Sequence, residues 1–304
     1  MNNIIEICQL NKSFGEVKAV QDLSFSVREG ELFAFLGVNG AGKSTTINIM
    51  CGQLLKDSGS VIIDGINLDT SHNLIKSKLG VVFQNSLLDS ALSVYDNLES
   101  RAALYGIIGL EFKTRLAELA ELLDFKDLLK RTVGKLSGGQ RRRIDVARAL
   151  FHHPKILILD EPTTGLDPQT RQTLWNVISN LRRNENMTVF LTTHYMEEAA
   201  EADYIVILDN GKISAEGTPL ELKNTYTGDY ITIYGAREEN IKKLGIEYEL
   251  VKDAFRLSVP DTKAATELII KYPDLFDDYE ITKGKMDDVF LSVTGKKLVG
   301  GGEK

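Results

Sequence analysis

Cysteine is nearly absent: 304 residues hold only Cys8 and Cys51. Two thiols make neither a disulfide framework nor a zinc-ligand spacing, and both sit in apolar stretches that read as buried free thiols. A basic excess is also missing. Lys and Arg total 36 against 43 Asp and Glu, a net charge of -7, so no dedicated nucleic-acid surface is expected. No apolar run approaches the about 20 residues that span a bilayer. Met1-Asn2-Asn3-Ile4 lacks the basic start and apolar stretch of a secretory leader. A cytoplasmic chain is expected, for which any role at a membrane requires a separate membrane-spanning partner. No sustained heptad run is present either. What remains is an ordinary globular composition, 43% hydrophobic and 26% charged, long enough for one large domain and a smaller one.

What is present is organised around Gly37-Val38-Asn39-Gly40-Ala41-Gly42-Lys43-Ser44-Thr45, a complete G-x-x-x-x-G-K-[ST] loop. The apolar run Leu32–Leu36 reads as a buried strand entering it, and Lys43 to Met50 as a helix leaving it, with Gly52 as the stop. Three glycines let successive backbone N–H groups turn toward a phosphate, and the helix N-terminus adds its dipole. Lys43 reaches the β- and γ-phosphates in such a loop, and the Ser44 hydroxyl ligates Mg²⁺. A plain Gly turn does not account for the Lys-Ser pair. The loop predicts binding of a nucleoside triphosphate.

Around the loop the pattern is α/β. Ile4 to Leu10 and Leu23 to Val27 alternate as strands, with Phe14-Gly15 in a turn between them. Phe14 reads either as a ring that stacks on a base or as an ordinary packed Phe. Leu79 to Phe83 is a buried strand ending at Gln84, which either touches metal or water or merely terminates the strand. Strand signals then vanish from Ser93 to about Leu150, a helical insertion with Ser93 as an N-cap and helical spacing over Glu111 to Leu123. It closes on Leu136-Ser137-Gly138-Gly139-Gln140 and a basic helix from Arg141. A Ser-Gly-Gly turn at a helix start offers free N–H groups and a hydroxyl to an anion; the plainer alternative is a capped helix with Arg141, Arg142 and Arg143 facing solvent. Lys155 to Leu159 returns to the sheet and delivers Asp160 and Glu161. Strand alternation gives these two carboxylates different tasks, one on a metal and one on a water, unless they form a structural ion pair. Gly165-Leu166-Asp167 turns into a helix begun by Pro168, and Thr188 to Thr192 is a core strand with His194 just beyond it. His72, His152 and His153 fall in linkers or helix ends. After the Asp209-Asn210-Gly211 hairpin and a helix capped by Thr218-Pro219, the texture changes near Tyr226. Strands are expected at Tyr230–Tyr234, Phe255–Val259 and Tyr279–Thr282, a helix at Ala264–Lys271, and a flexible tail over 296–304.

Together these residues resemble the ATP-binding cassette ATPases. The resemblance covers Ile4 to about Tyr226, in the family's order: Gly37–Thr45 as phosphate loop, Gln84 as the glutamine loop, and Leu136–Gln140 as the family signature. Ile156–Asp160 matches the metal-associated strand, Glu161 the general base, Gly165–Asp167 the D-loop, and His194 the switch histidine. Phe14 stands where the family usually has an adenine-stacking Tyr. The resemblance implies a P-loop NTPase core with a mixed sheet, a helical insertion, an antiparallel β subdomain and a small α+β C-terminal domain. Residues 1–226 form the nucleotide-binding domain, with the insertion at about 86–152, and 227–295 the accessory domain.

It further implies ATP and Mg²⁺ as cofactors and a head-to-tail homodimer in which ATP lies between the phosphate loop of one subunit and Ser137, Gly138, Gly139 and Gln140 of the other. Glu161 activates water, Ser44, Gln84 and Asp160 address the metal, and His194 meets the γ-phosphate. Such a subunit works on the inner face of the membrane through a separate permease, which docks on the insertion. Met286 to Gly295 resembles the ending of daunorubicin-resistance and sodium-efflux type subunits, which implies export. The alternatives are an importer subunit and a soluble non-transport cassette. DNA-repair members carry a long coiled coil and translation factors two cassettes, and this sequence shows neither.

Overall fold

Unbroken apolar runs become the middle of a sheet. In the computed structural model, which describes residues 2–296, the chain opens with β1 (Asn3–Phe14) and β2 (Val17–Arg28), paired antiparallel. β3 (Leu32–Gly37), buried at every residue, enters the phosphate loop, and α1 (Lys43–Met50) leaves it. β4 (Ser58–Ile63) and β5 (Ile66–Asn67) extend the antiparallel sheet to the order β2-β1-β4-β5. α2 (His72–Lys78) leads into β6 (Leu79–Val82). The helical insertion follows as α3 (Val94–Ala103), α4 (Gly109–Leu122) and α5 (Gly138–Leu150). The chain then alternates through β7 (Ile156–Asp160), α6 (Pro168–Glu185), β8 (Thr188–Thr193), α7 (Met196–Ala200), β9 (Tyr204–Asp209), β10 (Lys212–Gly217) and α8 (Pro219–Tyr226).

The central sheet has the order β10-β9-β3-β8-β7-β6, and its pairs β9-β3, β3-β8, β8-β7 and β7-β6 are parallel. Parallel strands covered on both faces read as continuous apolar runs, which is why Phe33–Leu36, Ile156–Leu159 and Val189–Leu191 carry almost no polar side chain. Phe33 and Phe35, two residues apart, share one face of β3. There Phe25 of the antiparallel sheet meets both rings at 5.2 Å and Phe190 of β8 at 6.1 Å. This aromatic cluster locks the two sheets together. Each such Phe contributes about 2–3 kcal/mol by leaving water.

The parallel direction matters more than the strand count. β3, β6, β7 and β8 all end on one edge, and the residues just past their ends are the phosphate loop, Gln84, Glu161 and His194. In open α/β sheets that edge is where ligands bind.

The chain forms two compact units. One runs to His194 and resumes over Ala202–Ile213; the other takes Tyr195–Glu201 and the described residues from Ser214 on. The second unit contains β11 (Asp229–Tyr234), α9 (Glu238–Lys242), β12 (Tyr248–Val251), β13 (Ala254–Val259), α10 (Thr262–Lys271), β14 (Tyr279–Lys283) and α11 (Met286–Thr294). Its sheet order β12-β13-β11-β14, with every neighbouring pair antiparallel, is a split β-α-β-β-α-β arrangement. Ile231, Ile233, Leu257, Val259 and Ala265 fill its separate core. Of the tail expected over 296–304, all but the first residue lies outside the described residues.

Two expectations need correcting. Cys51 is buried, but Cys8 is exposed: it follows buried Ile7 on β1, and strand alternation turns it to the solvent face. The helix after Ser137 begins at Gly138 rather than Arg141, because Ser137 and Gln140 form a reciprocal capping box.

Candidate active site

The phosphate loop is held from below. The Gly211 N–H of the Asp209–Gly211 turn donates to Ala41 O at 3.1 Å, and Gly211 O accepts from Gln21 N at 2.8 Å. Gly42 caps α1 at φ 106, and a Cβ there would lie 2.5 Å from the Ala19 carbonyl oxygen. Only glycine fits. Gly40 also takes a positive φ, yet nothing lies within 4 Å of where its Cβ would be. The loop is therefore tight underneath and open above, as a phosphate cradle requires. Asn39, Gly40 and Ser44 are exposed, Val38 and Thr45 half-buried, and Gly37 and Ala41 buried.

Lys43 is buried and curls back over its own loop, donating to Gly37 O at 2.6 Å and Val38 O at 3.2 Å. Burial pulls its pKa below the ordinary lysine value, opposed by the nearby Glu161 and Asp160 carboxylates. Asp160 is buried too, and desolvation raises its pKa while the hydrogen bond from Thr192 Oγ1 at 2.5 Å, and Lys43 and Arg142, pull it back. Thr192 sits opposite Asp160 in the β7-β8 register.

Glu161 breaks the strand. Its φ of 46 is uncommon for a residue with a side chain, a conformation costing about 1–3 kcal/mol. It is held there by its N–H, which donates to Thr192 O at 3.0 Å and Thr192 Oγ1 at 3.1 Å. In that setting one carboxylate oxygen collects three neighbours. Glu161 Oε2 accepts from Gln84 Nε2 at 2.9 Å and Thr164 Oγ1 at 3.3 Å, and His194 Nδ1 lies 3.4 Å from it. Gln84, Glu161 and His194, from the ends of three neighbouring strands, thus meet at a single atom.

The other candidates stand apart from that cluster. Ser137 and Gln140 bond each other, Ser137 N to Gln140 Oε1 at 3.1 Å and Gln140 N to Ser137 Oγ at 3.2 Å. The two glycines between them differ. A Cβ at Gly138 would meet nothing within 4 Å, whereas at Gly139 it would lie 2.3 Å from Thr170 Cγ2 of α6. Gly139 permits helix packing, and Gly138 keeps the helix start open. Phe14, at the end of β1, has 50% of its surface exposed, with the Lys12 amine 5.5 Å from its ring centroid.

Three further residues hold the site in place: Thr192, Thr164 and Arg142. Thr192 is one of three threonines in β8, with Thr188 and Thr193, so no local signal marks it, and none marks Thr164. Arg142 does not face solvent as the capped-helix alternative had it; it is buried and donates to three backbone carbonyls, Pro162 O at 2.7 Å, Phe83 O at 2.5 Å and Asp160 O at 3.1 Å. Only the phase of α5 separates it from its neighbours Arg141 and Arg143.

The model of the "ABC transporter" family matches residues 20–164. The Nod factor export ATP-binding protein I of Burkholderia orbicola is 33% identical over 97% of this chain and 98% of its own length. The chain belongs to the ATP-binding cassette family. The cassette is also 34% identical to the daunorubicin resistance ATP-binding protein of Streptomyces coeruleorubidus, over 95% of this chain and 94% of that one. Among solved structures, a dimeric cassette in a post-hydrolysis state bound to ADP and Pi superposes with a TM-score of 0.66 at 27% identity. It covers 71% of this cassette and 98% of that chain. As a member of this family the cassette is an ATP-binding ATPase with the P-loop fold.

Proposed function

We propose that this cassette is the ATP-hydrolysing subunit of an exporter, acting on the inner face of a membrane through a separate permease. The observation that carries the catalytic part is the meeting of Gln84, Thr164 and His194 at Glu161 Oε2, at the strand ends beside the phosphate loop. Held at Oε2 by these three neighbours, the Glu161 carboxylate is set at the strand end beside the phosphate loop to take a proton from water, so Glu161 is the general base. Gln84 and His194 orient that carboxylate, and His194 meets the γ-phosphate once it is present. Lys43 gives a charge-assisted contact to the β- and γ-phosphates. Backbone N–H groups of the Gly37–Thr45 loop hold the rest, and Phe14 offers a half-exposed ring to the base.

Ser44, Gln84 and Asp160 suit a Mg²⁺ ion that arrives with ATP. No group of three His, Cys, Asp or Glu side chains forms a metal site among the described residues, and Mg²⁺ held by substrate phosphates needs only one or two protein carboxylates. Ser44, Gln84 and Asp160 would hold the ion, which would supply positive charge against the charge that develops on the phosphates.

The open helix start at Ser137–Gly138 is a second phosphate-seeking device with no phosphate loop joined to it. A head-to-tail homodimer gives it one, with Ser137, Gly138, Gly139 and Gln140 closing on ATP held by the partner. Residues 1–226 serve as the nucleotide-binding domain, the insertion at about 86–152 as the permease dock, and 227–295 as an accessory domain. Export is favoured because relatives that match nearly the whole cassette, accessory region included, are named for Nod factor export and drug resistance.

No described helix is long and apolar enough to cross a membrane. The test is to reconstitute the chain with the product of its adjacent gene. A neighbour with about six membrane spans that stimulates hydrolysis in vesicles supports export. A neighbour encoding a secreted solute-binding protein points to import and overturns the export reading.

A further inference from the structure

α5 presents three buried charged side chains at helical spacing, Arg142, Asp145 and Arg148. Burying charge is costly unless each group is paired, so such a row needs partners. Its partners lie on the segment that carries Gln84. Arg148 Nη2 donates to Val81 O at 3.0 Å, and Arg142 Nη1 to Phe83 O. Asp145 Oδ1 accepts from Ser86 Oγ at 3.0 Å, and its carboxylate also accepts from the Leu87 N–H. The main chain is thus gripped on both sides of Gln84. Arg142 reaches further, to the carbonyls of Asp160 and Pro162 that flank Glu161.

We infer that Arg142 is a positioning residue: its planar fork fixes the backbone segments bearing Gln84 and Glu161 at the separation where the two side chains meet. This rests on the catalytic roles proposed above for Gln84 and Glu161. A guanidinium suits the task because its five donors lie in a fixed plane, so three carbonyls held by it cannot shift independently. Asp145, one turn along and bonded to Ser86 and Leu87, supplies countercharge within the same row. The arrangement also joins the catalytic pair to the nucleotide-facing helix start, since Arg142 lies one turn after Gly138. A displacement of Ser137–Gly138 by a partner's ATP moves the residue that spaces Gln84 from Glu161.

The test measures steady-state hydrolysis by the full chain as Arg142→Met and Arg142→Lys, each also in a Gln84→Ala background. A positioning role predicts that Arg142→Met lowers kcat by up to about 10²-fold, as small misplacements do, with KM for Mg-ATP unchanged. Arg142→Lys, which keeps the charge and loses the fork, recovers only part of the rate. In the Gln84→Ala background the further loss is smaller than in wild type, because both changes act on one contact. Equal proportional losses in the two backgrounds, or a raised KM at wild-type kcat, overturn the inference. If Arg142→Met fails to fold, Arg142→Lys decides: wild-type kcat refutes, reduced kcat with unchanged KM supports. Glu161→Gln is assayed in parallel. If it stays active, the base assignment fails, and the Gln84 cycle still judges Arg142 on its own.

Discussion

Replacing Lys43 by Ala removes the only buried cation of the phosphate loop. Its amine donates to Gly37 O and Val38 O, so one of its three N–H groups is left for a phosphate oxygen. A hydrogen bond to a charged group contributes about 1.5–3 kcal/mol, which is roughly ten- to a hundredfold in affinity. The setting places the loss near the top of that range. Asp160 and Glu161 lie close enough to act on the Lys43 pKa, and without the ammonium their field opposes the incoming phosphates directly. Titration calorimetry with ATP should therefore show Kd weakened about a hundredfold. Lys43→Arg should not restore it, because the larger guanidinium fork does not fit where the lysine side chain is already buried against the loop. Undiminished ATP affinity in Lys43→Ala would refute the reasoning.

A second prediction concerns pH. Burial lowers the pKa of His152 from 6.5 to about 4, where its ring stacks on Tyr105 at 4.0 Å. Between those values the unfolded chain takes up a proton that the folded chain refuses, so stability falls as pH drops from 6.5 to 4, by on the order of 3 kcal/mol. Urea unfolding of His152→Gln should show a correspondingly smaller loss between pH 7 and pH 4.5; an identical loss would assign the effect elsewhere. A third concerns the helix start. Ser137→Arg should leave ATP binding by the monomer intact and block dimerisation, since a long cation fills the position meant for the partner's phosphate. Normal turnover by that variant would contradict the head-to-tail arrangement.

Much of the nucleotide-binding unit was legible because its chemistry is local. The phosphate loop, the Asp160-Glu161 strand end and the Asp209–Gly211 turn each carry their signal within a few residues, and α1 runs over Lys43–Met50 as the pattern predicts. What was hidden depends on partners far along the chain. Cys8 is exposed although it lies between the buried Ile7 and Leu10, because a single step of alternation decides its face. Arg142 is indistinguishable from Arg141 and Arg143 until the helix phase places it over Phe83, Asp160 and Pro162. β12 and α9 were missed because four or five residues are too few to show a period, and their identity comes from pairing and packing within the second unit. Nor does any local pattern foretell the left-handed turn at Glu161, which is held by Thr192 on another strand.

The central claim is that Glu161 is the general base of a cassette that closes on ATP as a dimer. Glu161→Gln tests it most directly, since the amide keeps shape and most hydrogen bonding but cannot accept the proton from water. Hydrolysis should fall about 10²–10⁴-fold while ATP still binds. The closed dimer should then accumulate, seen in size-exclusion chromatography with Mg-ATP as a shift from monomer to dimer that wild type shows weakly. Hydrolysis at the wild-type rate in Glu161→Gln would contradict the account and move the catalytic assignment to Gln84 and His194.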